Sequence, residues 1–163
     1  MQSLDPSGPA AISVAWAGES QSKNWFHVAR EYTEKWHHQQ QIRHAIGDDG
    51  TLLAERFYLP YLDTSMRGLP HHYRTMKASA GTTICFSVLG FDSTRWYLVR
   101  VNDRWELCSE PDAPVSCSVE FDKSVAWRIF TKGISASEAQ PFVHVEGEQL
   151  LGKHVFAMVA VMA

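Results

Sequence analysis

The chain has 163 residues, 45% of them hydrophobic and 12% aromatic, with six tryptophans and a net charge of -3. That supplies a sizeable core for one domain or two small ones, while the slightly acidic balance and a pI near 6.2 give no basic footprint for nucleic acid. No run approaches the roughly 20 apolar residues of a membrane span, and the N-terminus lacks a basic start followed by an apolar core, so a cytoplasmic location is expected. Cys85, Cys108 and Cys117 are odd in number and form no C-x-x-C spacing, so all three are read as reduced packing residues.

In chain order, Asp5-Pro-Ser-Gly-Pro9 is turn chemistry at a mobile end, and Ala10 to Trp16 reads as a short extended segment. Asn24 to Gly47 has helical periodicity, with Ser20 or Ser22 as its cap and Gly47-Asp-Asp-Gly50 as its stop. One face carries Trp25, Val28, Ala29, Tyr32 and Trp36, an interior stripe. The opposite face gathers His27, Glu31, Glu34, His38 and Gln41, and Glu34 and His38 are one turn apart. Read from spacing alone, such a pair is a weak exposed contact or two ligands of a metal ion. His27 lies roughly 16 Å from His38 along the axis and Glu31 roughly 10 Å, too far to share an ion, so a third ligand has to come from another element or another chain. Leu52 to Leu69 is a second helical stretch, kinked or divided at Pro60 and stopped by Pro70. The adjacent His71 and His72 are read as solvated, and the boundary between the two parts is placed at 78/79.

From Gly81 the period changes. Thr82–Leu89, Thr94–Val101, Arg104–Ser109 and Val115–Phe121 are rich in β-branched and aromatic residues and separated by turn signals, which predicts four strands joined as successive hairpins. Asp122 caps a helix that ends near Gly133, with Trp127 and Phe130 in the core. Phe142–Glu146 reads as a fifth strand, and Glu148–Met162 as a closing helix with Leu151, Val155, Met158 and Met162 on one stripe. The fold class is therefore α+β, a helical half-bundle over residues 1–78 followed by a mostly antiparallel sheet covered by helices over 79–163.

The string Glu34-Lys-Trp-His-His38-Gln-Gln-Gln-Ile-Arg43 resembles the E-x-W-x-H-x-Q segment of the DinB-like superfamily, in the branch of the mycothiol-dependent maleylpyruvate isomerases. Asp122-x-x-x-Ala126-Trp-Arg-x-Phe130-Thr-x-Gly133, Val145-Glu-Gly-x-x-x-Leu151-Gly and Val159-Ala-Val-Met-Ala163 resemble the sterol-carrier-protein-like domain fused behind that bundle. The resemblance implies that Glu34 and His38 ligate a divalent metal, usually zinc with nickel as the other choice, and that a low-molecular-weight thiol is a cosubstrate in an isomerase or transferase reaction. Family members begin with two further helices, one bearing the first metal-ligand His, so the chain is expected to be a truncated or divergent relative. The alternatives are a non-catalytic module binding a small apolar ligand and an inactive dimeric scaffold. A homodimer pairing the N-terminal helices of two chains into a four-helix bundle is the corresponding assembly hypothesis. The partners expected are a small-molecule substrate or ligand, with neither nucleic acid nor membrane.

Overall fold

A computed structural model describes residues 5–12, 16–17 and 20–160. Two compact units are present, Met1–Thr64 and Ser65–Ala163. The division lies upstream of 78/79. Met66, Leu69 and Tyr73 have no exposed surface, and Tyr73 donates its hydroxyl to the Leu151 carbonyl at 2.9 Å, which ties this segment to the second unit.

The first unit is built on helix α1 (Asn24–Ala45) and most of helix α2 (Glu55–Met66). Neither Ser20 nor Ser22 caps α1. The N-cap is Lys23, without a side-chain bond. The Asp5–Gly8 turn does the work instead, its Gly8 and Pro6 carbonyls accepting the N–H groups of Asn24 and Trp25 at 3.0 Å each. That turn is therefore tied to the helix, contrary to the mobile end expected from composition. The stretch from Ala10 to Trp16 lies partly outside the described residues. Gly47, at a φ of 77°, ends α1 as expected.

The buried line of α1 is Phe26, Thr33, Trp36 and Gln40. This corrects the expected stripe, since Val28 is 66% exposed. Trp36 sets the rotation: its ring stacks on Tyr58 at 4.9 Å and meets Tyr61 at 4.2 Å, and its indole N–H reaches the Leu52 carbonyl. Helix α2 runs through Pro60, and Thr64 satisfies the Pro60 carbonyl at 2.8 Å. Pro70 does not stop a helix; it sits in the first turn of a short one, α3 (Leu69–His72), where a missing N–H costs nothing.

The second unit is a five-stranded sheet, β1 (Thr83–Val88), β2 (Trp96–Val101), β3 (Arg104–Cys108), β4 (Cys117–Phe121) and β5 (Val143–Gly147), in spatial order β3-β2-β1-β4-β5. All five expected strands are present and the sheet is mostly antiparallel. The four successive hairpins are not: β1 pairs with β4 in parallel, so the chain crosses over after β3. The connection holds Pro111 and Pro114, too long and too stiff for a tight turn.

Alternate strand residues point to one covered face, where Ile84, Phe86, Leu98, Val119 and Phe121 are fully buried. Helix α4 (Lys123–Phe130) is capped by Asp122, which accepts the Ser124 N–H, and contributes Ala126, Ile129 and Phe130 to the core. Each of the larger side chains, Ile129 and Phe130 among them, stabilises the unit by about 1.5–3 kcal/mol when fully buried. Helix α5 (Ala136–Ala139) opens with a reciprocal Ser135/Glu138 capping box. Helix α6 is only Gln149–Lys153, followed by a 3-10 turn over His154–Ala157, so the expected long closing helix is corrected to a short one. Leu151, Val155 and Met158 are nevertheless buried as the stripe requires; Met162 lies outside the described residues. Gly152 explains the close seating of α6, because a Cβ there would collide with the Val145 side chain and lie 3.0 Å from the Cys117 sulfur. At the β5 edge, Gln149 donates to the Val145 carbonyl at 3.0 Å, blunting a strand that otherwise offers free backbone groups.

Candidate functional site

Glu34 and His38, the residues read as metal ligands, stand one turn apart on α1 with Oε2 and Nε2 3.5 Å from each other. The His38 side chain is 67% exposed and that of Glu34 34%. The Nδ1 of His38 lies 3.3 Å from Gln41 Oε1, which accepts its proton and leaves Nε2 turned toward Glu34. Two metal bonds of about 2.1 Å spanning that gap would subtend about 110°, a tetrahedral angle. The pair therefore has the spacing of two ligands. It is not a zinc site by itself: three protein ligands are the minimum for a bound catalytic ion, and among the described residues no three metal-ligating side chains gather. The neighbouring His37 does not add a cation, since burial, outweighing the Glu34 carboxylate, holds its imidazole below the usual range. A groove of about 470 Å³ lies in the same unit between Ala10–Ile12 and the side chains of Asn24, His27, Arg30 and Glu31.

The second unit carries a groove of about 450 Å³ where β4 and β5 emerge from the sheet. Strand register places Glu120 directly opposite His144 on the face away from the helices. The 3-10 turn Gln140–Phe142 holds Gln140, Pro141 and Phe142 at the rim, and Leu89 closes the other side, its N–H bonded to the Phe121 carbonyl at 2.8 Å. Leu89 and Phe142 are 55% and 51% exposed, unusual for large apolar side chains. Asp122 contributes a carboxylate whose Oδ1 already accepts from both the N–H and the hydroxyl of Ser124. The lining thus combines two apolar walls, two carboxylates, one imidazole and one amide, with no lysine or arginine.

The thiols are poor nucleophiles. Burial raises the pKa of Cys85 and of Cys108, and Cys117 is pushed up to about 11 by burial with the Glu148 carboxylate adding to it. Arg128, at the C-terminal end of α4, donates to the Gly133 carbonyl in the loop that follows the helix. His72 departs from the solvated reading: it is half-buried, and its ring stacks on that of His154. Sequence reasoning did not find this pair or the groove, because both are made by residues far apart in the chain. The only signal was the β-period of the strands, from which the Glu120–His144 register follows once the β4–β5 pairing is known.

Comparison with protein-family models gives no match, and no curated protein matches significantly. Among solved structures, a chain described as a UbiJ-SCP2 ubiquinone synthesis protein is similar, at 21% identity and a TM-score of 0.37, covering 53% of this chain and 68% of that one. The α+β assignment of the second unit rests on its own strand register and packing. A DinB-like bundle and a maleylpyruvate isomerase relationship find no support in these comparisons. No helix among the described residues is long and apolar enough to cross a membrane.

Proposed function

We propose that the second unit is a non-catalytic module that holds a small organic ligand, one with an apolar body and a cationic or hydrogen-bond-donating end, in the groove beside β4 and β5. The observation that carries this reading is the exposure of Phe142 and Leu89 on either side of the Glu120–His144 pair. Apolar walls flanking a few polar groups are the usual lining of small-ligand sites. Two carboxylates with no lysine or arginine in the lining select a donor or a cation over an anion. The raised thiols favour binding over covalent chemistry, since none is an activated nucleophile.

The test is a titration of isotope-labelled protein with phenethylamine, phenethyl alcohol and phenylacetate, followed by amide chemical shifts. Saturable shifts confined to Leu89, Glu120, Phe142 and His144, strongest for the amine and weakened in Phe142→Ala, support the reading. Absence of localised shifts with all three probes overturns it.

A second reading keeps Glu34 and His38 as two ligands of a divalent ion, favoured by their 3.5 Å spacing. It requires a third ligand from beyond the described residues or from another chain, as the homodimer hypothesis would supply, and the thiol-dependent isomerase or transferase chemistry belongs to it alone. Elemental analysis of protein purified without tag or chelator, beside Glu34→Ala and His38→Ala, decides it. Stoichiometric zinc or nickel lost in both variants supports it, and wild-type protein that takes up neither metal removes it.

A further inference from the structure

The imidazoles of His72 and His154, 82 residues apart in sequence, exchange hydrogen bonds with one another's backbone. His72 Nε2 lies 2.8 Å from the His154 carbonyl oxygen, and His154 Nε2 lies 3.2 Å from that of His72. A carbonyl only accepts, so both rings carry their proton on Nε2 and leave Nδ1 as the basic site. The rings stack with centroids 4.3 Å apart at 21°, and Tyr73 meets the edge of His154 at 4.9 Å. This contact fastens the C-terminal end of α3 to the 3-10 turn after α6. The same junction is reinforced by Tyr73, whose hydroxyl donates to the Leu151 carbonyl.

We propose that the stacked His72–His154 pair is an acid-sensitive latch that holds the α6 segment closed over the sheet and releases it when both rings are charged. The first proton, added at one Nδ1, leaves both Nε2–H bonds intact; the second sets two like charges face to face. The charged neighbours strengthen the effect. His71 and Arg74 lie on the same turn as His72 and oppose its protonation, and Lys153 directly precedes His154. On β3, which packs against α3, the charges of Arg104 and Glu106 are spent on each other. No carboxylate contributes at His72. Burial is the largest cause holding the His72 imidazole below its usual value of 6.5, with the His154 carbonyl partly offsetting it. A lowered folded-state value means that the latch contributes fully above about pH 6.5 and weakens as pH falls below it. Release would uncover Leu151, Val155 and Met158, which are buried in the closed form.

Hydrogen exchange by NMR on the whole chain between pH 7.5 and 5.0, corrected for intrinsic rates, tests this. Relative to the amides of β1, those of residues 149–158 should lose about tenfold of their protection for each pKa unit by which the closed pair resists a proton. In His72→Gln with His154→Gln, where an amide replaces each Nε2–H without a titratable site, the α6 segment should show no such acid-linked loss. Wild-type protection of 149–158 that tracks β1 across the range overturns the proposal, as does an unchanged acid loss in the double variant. Nitrogen-15 shifts of the wild-type imidazoles provide a reading independent of the variant's folding. Two Nε2–H rings whose protonation is mutually opposed support the latch, and two independent titrations at ordinary values refute it.

Discussion

Gly152→Ala adds one methyl group where α6 rests on the sheet, and the structure says what that methyl meets. The new Cβ would collide with the Val145 Cγ1, stand 3.0 Å from the Cys117 sulfur and 3.4 Å from the Val119 Cγ2. Cys117 and Val119 belong to β4, which is paired on both sides, so neither can retreat without moving the ladder. Overpacking of this kind costs about 1–3 kcal/mol. Alanine returns about 1 kcal/mol through helix propensity. We expect the upper part of the overpacking range, because one wall is fixed, and a net loss of about 1–2 kcal/mol. The assay is amide exchange of β1, whose slowest protons report opening of the second unit separately from the first. Val145→Ala removes the colliding Cγ1 and leaves only the tighter contact with the Cys117 sulfur, so Gly152→Ala in that background should cost clearly less than in wild type. A single Gly152→Ala variant as stable as wild type, or a loss that persists undiminished beside Val145→Ala, refutes the packing argument.

Further outcomes follow from the same contacts. Tyr73→Phe leaves the buried Leu151 carbonyl without its donor and should cost about 1–3 kcal/mol, read as a fall in β1 protection. Its folding-linked tyrosine titration, held far above the normal range by burial, should also disappear from the ultraviolet difference spectrum. Asp122→Ala removes the α4 cap and should cost about 1 kcal/mol, with Asp122→Asn retaining most of the stability in the same exchange measurement. Iodoacetamide at pH 8 should alkylate Cys117 only as fast as the second unit opens, since its thiol is buried and titrates near 11, whereas an urea-unfolded sample should react at all three cysteines at once. Glu34→Ala should change stability by less than about 0.5 kcal/mol by thermal unfolding, because its partner His38 is largely exposed.

The second half of the chain was largely legible because its signals are local. Alternation of β-branched and aromatic residues marked all five strands, and Asp122 announced α4 through a side chain that bonds an N–H two residues on. The first half was less so. The exposed Val28 and the buried Gln40 reverse what hydrophobicity alone assigns, because Trp36 fixes the rotation of α1 by seating itself on Tyr58 and Tyr61. Where α1 is capped by the Asp5–Gly8 backbone, no side-chain signal existed to be read.

The α+β class, the position of the strands, the Glu34–His38 spacing along one helix face and the buried stripe of Leu151, Val155 and Met158 are all written in the order of the residues. Each depends on covalent geometry over a few residues, the rise of a helix or the pleat of a strand. Folding in three dimensions was needed to set β4 parallel to β1, Glu120 opposite His144 beside an exposed Phe142, and His72 against His154. Those juxtapositions join distant segments, and they are chosen by which apolar faces must be buried together, a condition that no local window of the chain contains.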